Sequence, residues 1–466
     1  MDRRDFIKKL GVGVAAASVL SPAFVFADES AERGNSVSSM PDLEADVIVV
    51  GAGASGIPAA IAAARAGAKV ILLEQDMTPG GAPVNMYVSM LCGGPRVGIY
   101  REMAQTLDAE YTLSGAPKPD FGPDGANGKN HWYLPSSFML VVSRMIAAEK
   151  NIRLLCGARV CGLVLSEKGS RNTVRGVKID RMGATQTIRA RVTVDATGTG
   201  EIGWRAGAPV LYGRDGRAAF GERIGAELPD DKVQRCTWMY VSQRLRPDAV
   251  LPWSRLKSRG LVEDDLNTWV REQHVERRAG IYLHWGATTV CEDTRDPVAI
   301  AQAQRNCLKT LLPDARTLHE AGFQMHLAPK LGIRESRRIR GEYVLTANDM
   351  RDGNYPDDTI AYTSYGLDAW GENIPKDQRA TKPHGIPYRC LVPLGVEGLL
   401  MAGKSISGTH LAASGYRVQP VVASIGQAAG TAAALAARRR CRVRDVDIRA
   451  LRASLDKQGL FIQKQE

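Results

Sequence analysis

The segment from Asp46 to Glu74 constrains this chain more than any other. Asp46-Val47-Ile48-Val49-Val50 is a short β-branched run, the pattern of a strand buried in a parallel sheet. Gly51-Ala52-Gly53-Ala54-Ser55-Gly56 follows without a break. Ile57 to Ala66 is Ala-rich and helix-forming, with Pro58 in the first turn, where its missing N–H is harmless. Gly67 ends the helix, Lys69-Val70-Ile71-Leu72-Leu73 reads as a second strand, and Glu74 closes it. A glycine turn between strand and helix lets the backbone approach a pyrophosphate, which then sits on the helix N-terminus. Glu74 stands 23 residues after Gly51, where an acid binds ribose hydroxyls. A glycine pattern alone is weak. Strand, turn, helix, strand and acid in this order specify a dinucleotide-binding unit, with Gly51, Gly53, Ala54, Ser55, Gly56 and Glu74 as its contacts.

Three further stretches bear on which dinucleotide is held. Pro79-Gly80-Gly81 is a flexible turn after the acid. Arg191-Val192-Thr193-Val194-Asp195-Ala196-Thr197-Gly198 is a strand ending in Ala-Thr-Gly. Gly398-Leu399-Leu400-Met401-Ala402-Gly403-Lys404 reads as strand then turn, and Ser414-Gly415-Tyr416-Arg417-Val418-Gln419-Pro420 enters a helix of small residues, Val421 to Ala437. Two more blocks accompany them: Leu331 to Ile339 with Gly341-Glu342-Tyr343, and Ile386-Pro387-Tyr388-Arg389 with Leu391-Val392-Pro393.

Together these segments resemble the bacterial FAD-dependent oxidoreductase family, Rossmann flavoproteins of the glutathione-reductase type related to fumarate-reductase flavoproteins. The resemblance covers about residues 45–100, 150–215 and 325–460. It implies an α/β fold: a Rossmann-type FAD-binding domain with a parallel sheet from residues 45–214 and 391–466, and an inserted α+β substrate domain at 215–390. It implies FAD as cofactor, with Gly81, Val160, Ala196, Thr197, Gly198, Gly403, Gly415 and Val418 joining the contacts above. The chain departs from the pattern at Lys404, where an Arg is expected. No His follows the Gly80-Gly81 pair directly, so a covalent histidyl-flavin is not expected.

A flavin supplies the redox chemistry, and the protein positions substrate and moves a proton. His410 lies between the last strand and the flavin-facing helix, as a proton mover or a loop-ordering donor. Arg417 stands at the helix entry, suited to a reduced anionic flavin, an anionic substrate or a structural clamp. Arg334 and Glu335 are expected to pair, either in the active site or as an internal salt bridge. Tyr388, with His384, flanks Pro387 as a candidate for the substrate face. His131-Trp132-Tyr133 and His284-Trp285 lie outside the resembling blocks and read as packing. No HExxH, EF-hand or GxSxG pattern occurs, so neither a metal nor serine-hydrolase chemistry is expected.

The N-terminus reads as an address. Arg3-Arg4-Asp5-Phe6-Ile7-Lys8-Lys9 is a twin-arginine signature, Leu10 to Leu20 is mildly apolar, and Val25-Phe26-Ala27 offers a cleavage site. Residues 1–27 are expected to be a signal peptide and 28–44 a polar linker. This route carries folded proteins, which suits a cofactor acquired before export to the periplasm. The formal net charge is +11, or +9 without residues 1–27. The Arg438-Arg439-Arg440, Arg442 and Arg444 run follows an Ala-rich helix, where cations complement a helix C-terminus, and no nucleic-acid partner is expected. The eight cysteines show no CxxC or CxxCH spacing and read as scattered buried thiols. No membrane span is expected beyond the signal segment. Electrons must then reach a separate donor or acceptor: a cytochrome, a quinone enzyme or oxygen. Two alternatives stay open at this point, an NAD-binding oxidoreductase and a non-catalytic flavin carrier or assembly subunit.

Overall fold

The computed structural model describes residues 40–91, 93–113, 131–166, 172–258 and 280–460. The expected signal segment 1–27 lies outside the described residues. β1 (Leu43–Val50), α1 (Gly56–Arg65) and β2 (Val70–Leu73) form the opening unit. β1 begins inside the stretch expected as linker, because Leu43, Glu44 and Ala45 already pair with Ile188, Arg189 and Ala190. The sheet continues through β3 (Ile152–Leu155), β4 (Ala158–Leu165), β5 (Val174–Arg181) and β6 (Ala184–Asp195), in the order β3-β2-β1-β6-β5-β4. β3, β2, β1 and β6 run parallel, while β5 and β4 fold back as antiparallel additions. The β-branched runs of β1 and β2 are buried, as a sheet covered on both faces requires.

A second, smaller sheet sets β7 (Cys236–Arg244) between β8 (Ile281–Thr289) and β9 (Phe323–Leu327), all antiparallel. α2 (Pro297–Glu320) packs on it, its N-terminus capped by the Asp296 carboxylate, which accepts the Val298 and Ala299 N–H groups. Tyr240, Leu311, Leu318 and Phe323 belong to a hydrophobic cluster of their own, separate from the main core.

The chain then returns to the large sheet. β10 (Leu399–Met401) lies parallel to β6, with Met401 opposite Asp195. Val50, Leu73, Asp195 and Met401 therefore end along one edge. α3 (His410–Tyr416) and α4 (Gln419–Arg439) follow. By length and composition alone α4 is apolar enough to cross a membrane, which the sequence reading did not anticipate, yet it is buried from Gln419 to Ala437. Its small residues explain where it sits. A Cβ on Gly426 would lie 2.0 Å from the Ser55 carbonyl oxygen, and one on Gly430 1.9 Å from that of Ala59. The two glycines, one turn apart, let α4 touch the backbone of α1, closer than ordinary side chains allow.

Gly430→Val should force α1 and α4 apart. Overpacking of this kind costs about 3 kcal/mol, read as a lowered midpoint in urea unfolding. An unchanged midpoint would mean that the helices are not seated as described.

Candidate active site

The edge shared by β1, β2, β6 and β10 carries the glycine turns. Gly51 has φ +102°, and a Cβ there would meet the Ala196 carbonyl oxygen at 2.5 Å, so the residue has to be glycine. Gly80 donates its N–H to the Ala52 carbonyl at 2.8 Å, bringing the second turn across to the first. A Cβ on Gly81 would lie 2.6 Å from Gly53 Cα, whereas one on Gly53 would meet nothing closer than Gly81 Cα at 3.6 Å. Ala54 is partly exposed beside them. Ser55 Oγ, at the start of α1, is buried without a hydrogen-bond partner, and Gly403 packs on it, 3.3 Å from Ser55 Cβ measured from a Cβ placed on the glycine. A Cβ on Gly56 would strike the Gly51 carbonyl oxygen at 1.7 Å.

Three neighbours complete this cradle. Glu74 accepts the Ala52 N–H at 2.8 Å and the Asp76 N–H at 3.0 Å, and burial raises its carboxyl above the ordinary range. Asp195, fully buried, accepts the Thr197 hydroxyl and N–H on one oxygen and the Ile202 and Gly203 N–H groups on the other, holding the Ala196-Thr197-Gly198 turn in place. Lys404 Cε lies 3.4 Å from a Cβ placed on Gly198, and its ammonium donates to the Ile333 carbonyl. Val160 stands two residues beyond Ala158, whose N–H donates to the Glu74 carbonyl. Val418 caps α4. Gly415 packs farther off, against Met350 and the Tyr365 and Gly366 carbonyls. Close-set glycines, a helix N-terminus, an orphaned buried hydroxyl and an acid at the strand end fit a dinucleotide flavin.

His410 is the first residue of α3 and is buried. Thr409 caps that helix and donates its hydroxyl to Glu222 at 2.7 Å. The His410 N–H donates to Asp215 at 2.7 Å. Its imidazole Nδ1 lies 2.8 Å from Glu335 Oε2, and Nε2 lies 3.7 Å from Glu372 Oε1. Arg338, also buried, pairs with Glu335 and with Asp215, the latter at 3.1 Å. Arg214 joins Glu372 to Asp230. Burial opposes charge on the imidazole, but Glu335 and Glu372 outweigh it and raise the His410 pKa to about 9. Burial likewise opposes charge on Glu335, and His410 and Arg338 hold its pKa below the ordinary value. At neutral pH this is an imidazolium stored between two carboxylates.

A second group of cations lies beside it. Arg334 stacks on Trp370, with its guanidinium carbon 3.9 Å from the ring centroid, and donates to the Arg235 carbonyl at 2.7 Å and the Thr237 hydroxyl at 2.6 Å. Arg417 donates to the Asp368 carbonyl at 2.9 Å and carboxylate at 3.2 Å, while its Nε is buried without a partner. Burial and the nearby Arg417 push Arg334 down to about 9 and Lys404 down to about 8. Three cations thus repel one another within electrostatic reach, with Asp368 as the carboxylate paired to one of them.

A model of the FAD-dependent oxidoreductase family matches residues 46–455. The chain belongs to that family. A cytochrome-type fumarate reductase of Shewanella frigidimarina is 25% identical over 209 residues, covering 37% of this chain and 36% of that protein. A tRNA uridine 5-carboxymethylaminomethyl modification enzyme of Exiguobacterium sibiricum is 42% identical over 251 residues, covering 49% and 38%. The chain thus spans little more than a third of these curated relatives. A solved geranylgeranyl bacteriochlorophyll reductase-like protein from Thermoplasma acidophilum is 14% identical, covers 90% of this chain and 85% of its own, and superposes with a TM-score of 0.43. Membership of that family makes the chain an FAD-dependent oxidoreductase, with FAD as its cofactor.

The structure redraws three of the expected contacts in this FAD-dependent oxidoreductase. Arg334 and Glu335 do not pair. Glu335 binds His410 and Arg338, while Arg334 turns to Trp370 and Thr237. Tyr388 does not join the cations or His410: it is buried, and its hydroxyl donates to the Val443 carbonyl at 2.7 Å. His384 is buried as well, with Nδ1 2.8 Å from the Lys382 carbonyl oxygen. His284 packs as expected, stacked on Tyr240 at 4.2 Å and hydrogen-bonded to Ser242. Asp215, Arg338, Glu372 and Trp370 escaped the sequence reading. Arg338 alone carried a signal, as part of the Leu331–Ile339 block.

Because the folded pKa of His410, about 9, exceeds the ordinary 6.5, its charged form stabilises the fold. That contribution is complete below about pH 6.5 and is lost as pH rises through about 9; at 1.36 kcal/mol per unit it amounts to about 3 kcal/mol. The stability gap between the wild type and His410→Gln should therefore shrink between these pH values in urea titrations. A gap that is the same at both ends would contradict the charged assignment.

Proposed function

We propose that this enzyme moves electrons between a small anionic organic molecule and a separate redox partner outside the cytoplasm. The observation that carries this reading is the surplus of cations at Arg334, Arg417 and Lys404 beside the flavin cradle. Like charges gathered out of water are costly unless an anion joins them. A substrate carboxylate supplies one, and Arg334 and Arg417 offer planar donors suited to it. Bound FAD supplies the two-electron chemistry. His410 is the proton mover: Glu335 keeps it charged, Arg338 holds Glu335, and Glu372 faces the other ring nitrogen. Trp370 and Glu372, two residues apart, place the Arg334 stack and the His410 contact on one short segment. Arg334, Arg417 and His410 are the proposed catalytic or substrate-binding residues. Tyr388 is set aside for its bond to Val443.

For FAD, the proposed contacts are the residues of the cradle, with Glu74 exchanging its bond to Ala52 for the ribose hydroxyls. The insertion at 215–390 is proposed as the substrate domain; the separate cluster under β7, β8 and β9 supports this. The twin-arginine motif at Arg3-Arg4 supports export of the folded protein. Similarity to a cytochrome-type fumarate reductase supports a cytochrome or quinone enzyme as the electron partner.

Fractionated cells should be assayed with a panel of carboxylates, using reduced viologens or oxidised phenazines as electron carriers. Carboxylate-dependent turnover is expected in the periplasmic fraction, and in the cytoplasm when Arg3 and Arg4 are both replaced by Lys. Arg334→Gln should raise the KM for the carboxylate about 100-fold, the loss of ~3 kcal/mol of charge-assisted bonding. Rapid, saturable turnover with NADH in the cytoplasmic fraction would sink the proposal.

A further inference from the structure

Arg223, Arg351, Lys382 and Asp352 line an open cavity of about 350 Å³, with Ala380 and Thr381 completing its wall. None of them belongs to the glycine cradle or to the groups around His410 and Arg334. Three cations thus share the cavity with one carboxylate, and each cation comes from a different stretch of chain. Arg351 and Asp352 end a short helix, Ala347–Asp352, which a capping box between Thr346 and Asp349 closes at its start. Arg223 is tied to that helix: its N–H and Nε donate to Asn348 Oδ1 at 3.3 and 3.2 Å, and Asn348 Nδ2 donates to the Gly221 carbonyl at 2.7 Å. Lys382 donates its N–H to the Met350 carbonyl at 3.1 Å, and the Thr381 hydroxyl donates to the Ser364 and Tyr365 carbonyls. Arg223 also pairs with Asp352 at 2.6 Å, both side chains being half-exposed. Among the described residues, the Arg351 guanidinium and the Lys382 ammonium form no hydrogen bond or ion pair. Both lie within electrostatic reach of Asp352: the Arg223 bond, helped by these two charges, holds its carboxyl below the ordinary range.

We propose that this cavity binds a small organic phosphate, with Arg223, Arg351 and Lys382 on the phosphate group. A carboxylate is planar and is satisfied by a single guanidinium fork. A phosphate monoester carries about two negative charges on three diverging acceptor oxygens, so it can meet cations from several sides. The cavity is larger than a phosphate alone and falls at the lower end of the roughly 300–1,000 Å³ usual for small-molecule sites. The remaining space admits an organic part, and Asp352 is an acceptor for hydroxyls on it. The Arg223–Asp352 pair does not close the site, because exposed ion pairs are held weakly and Arg223 can turn a donor to the ligand. The short helix carries the contact inward. Glu222, next to Arg223, accepts the Ala347 N–H at 2.8 Å and the Thr409 hydroxyl at 2.7 Å. Thr409 caps α3, which begins at His410. A phosphate that joins Arg223 to Arg351 therefore braces the contacts that seat His410. This consequence rests on the role proposed above for His410; the site itself does not.

The purified flavin-loaded enzyme should be titrated with glycerol 3-phosphate by isothermal titration calorimetry in low-salt buffer. With FAD in place the nucleotide cradle does not compete for the probe. Saturable binding to one site per chain is expected, weakened by added sodium chloride. Arg351→Gln combined with Lys382→Gln should weaken it at least about tenfold, with flavin content and circular dichroism unchanged. Lys382→Gln alone, a change at an exposed side chain, should already weaken it measurably. Arg334→Gln should bind as the wild type does, which separates this cavity from the anion site proposed above. The proposal is overturned if the wild type shows no saturable binding, or if the double variant binds as tightly as the wild type. It is equally overturned if Arg334→Gln alone abolishes binding, or if acetate at equal concentration displaces the glycerol 3-phosphate. Because the readout is the heat of binding, it is independent of substrate turnover.

Discussion

The backbone contact between α1 and α4 is the interaction on which the rest depends. Gly426 and Gly430 bring α4 onto the Ser55 and Ala59 carbonyls, the first turns of the helix that leaves the nucleotide turn. With α4 seated there, β10 is held beside β6, Gly403 packs on Ser55, and Lys404 reaches Gly198. Residues some 350 positions apart in the chain thereby form one edge. Many small-residue contacts build this arrangement, so it tolerates little added volume.

Charge compensation organises the second half of the site. Buried ions persist where partners and hydrogen bonds offset their desolvation. Around His410 this offset is nearly complete: Glu335 and Asp215 meet Arg338, and Glu372 meets Arg214. Around Arg334, Arg417 and Lys404 it is incomplete, with Asp368 holding Arg417. The contrast separates a compensated charge cluster around His410 from a group of cations short of carboxylate partners.

Much of the large sheet was legible because local pattern and long-range packing agree there. The β-branched runs at Val47–Val50 and Val70–Leu73, the acid after the second, and the small-residue helix from Val421 all follow periodicity and turn chemistry that neighbours do not override. The strands β4 and β5 were missed: they alternate exposed and buried residues with little apolar contrast. The Arg334–Glu335 pair failed for a geometric reason. Adjacent residues in extended chain face opposite sides, so one reaches Trp370 and the other His410. Tyr388 sat in a resembling block, but adjacency to a block does not say which way a ring points; here it points to Val443.

The central claim is that the turn at the β1–α1 junction holds the FAD. Gly53 tests it most directly, because a Cβ there meets nothing closer than Gly81 Cα, at 3.6 Å. The measurement is the molar ratio of FAD, released by acid precipitation and identified chromatographically, to folded protein in the wild type and in Gly53→Val. Close to one FAD per wild-type chain, all of it in the supernatant, and a nearly colourless variant with an unchanged circular dichroism spectrum would agree with the account. Full FAD occupancy in the folded variant would contradict it.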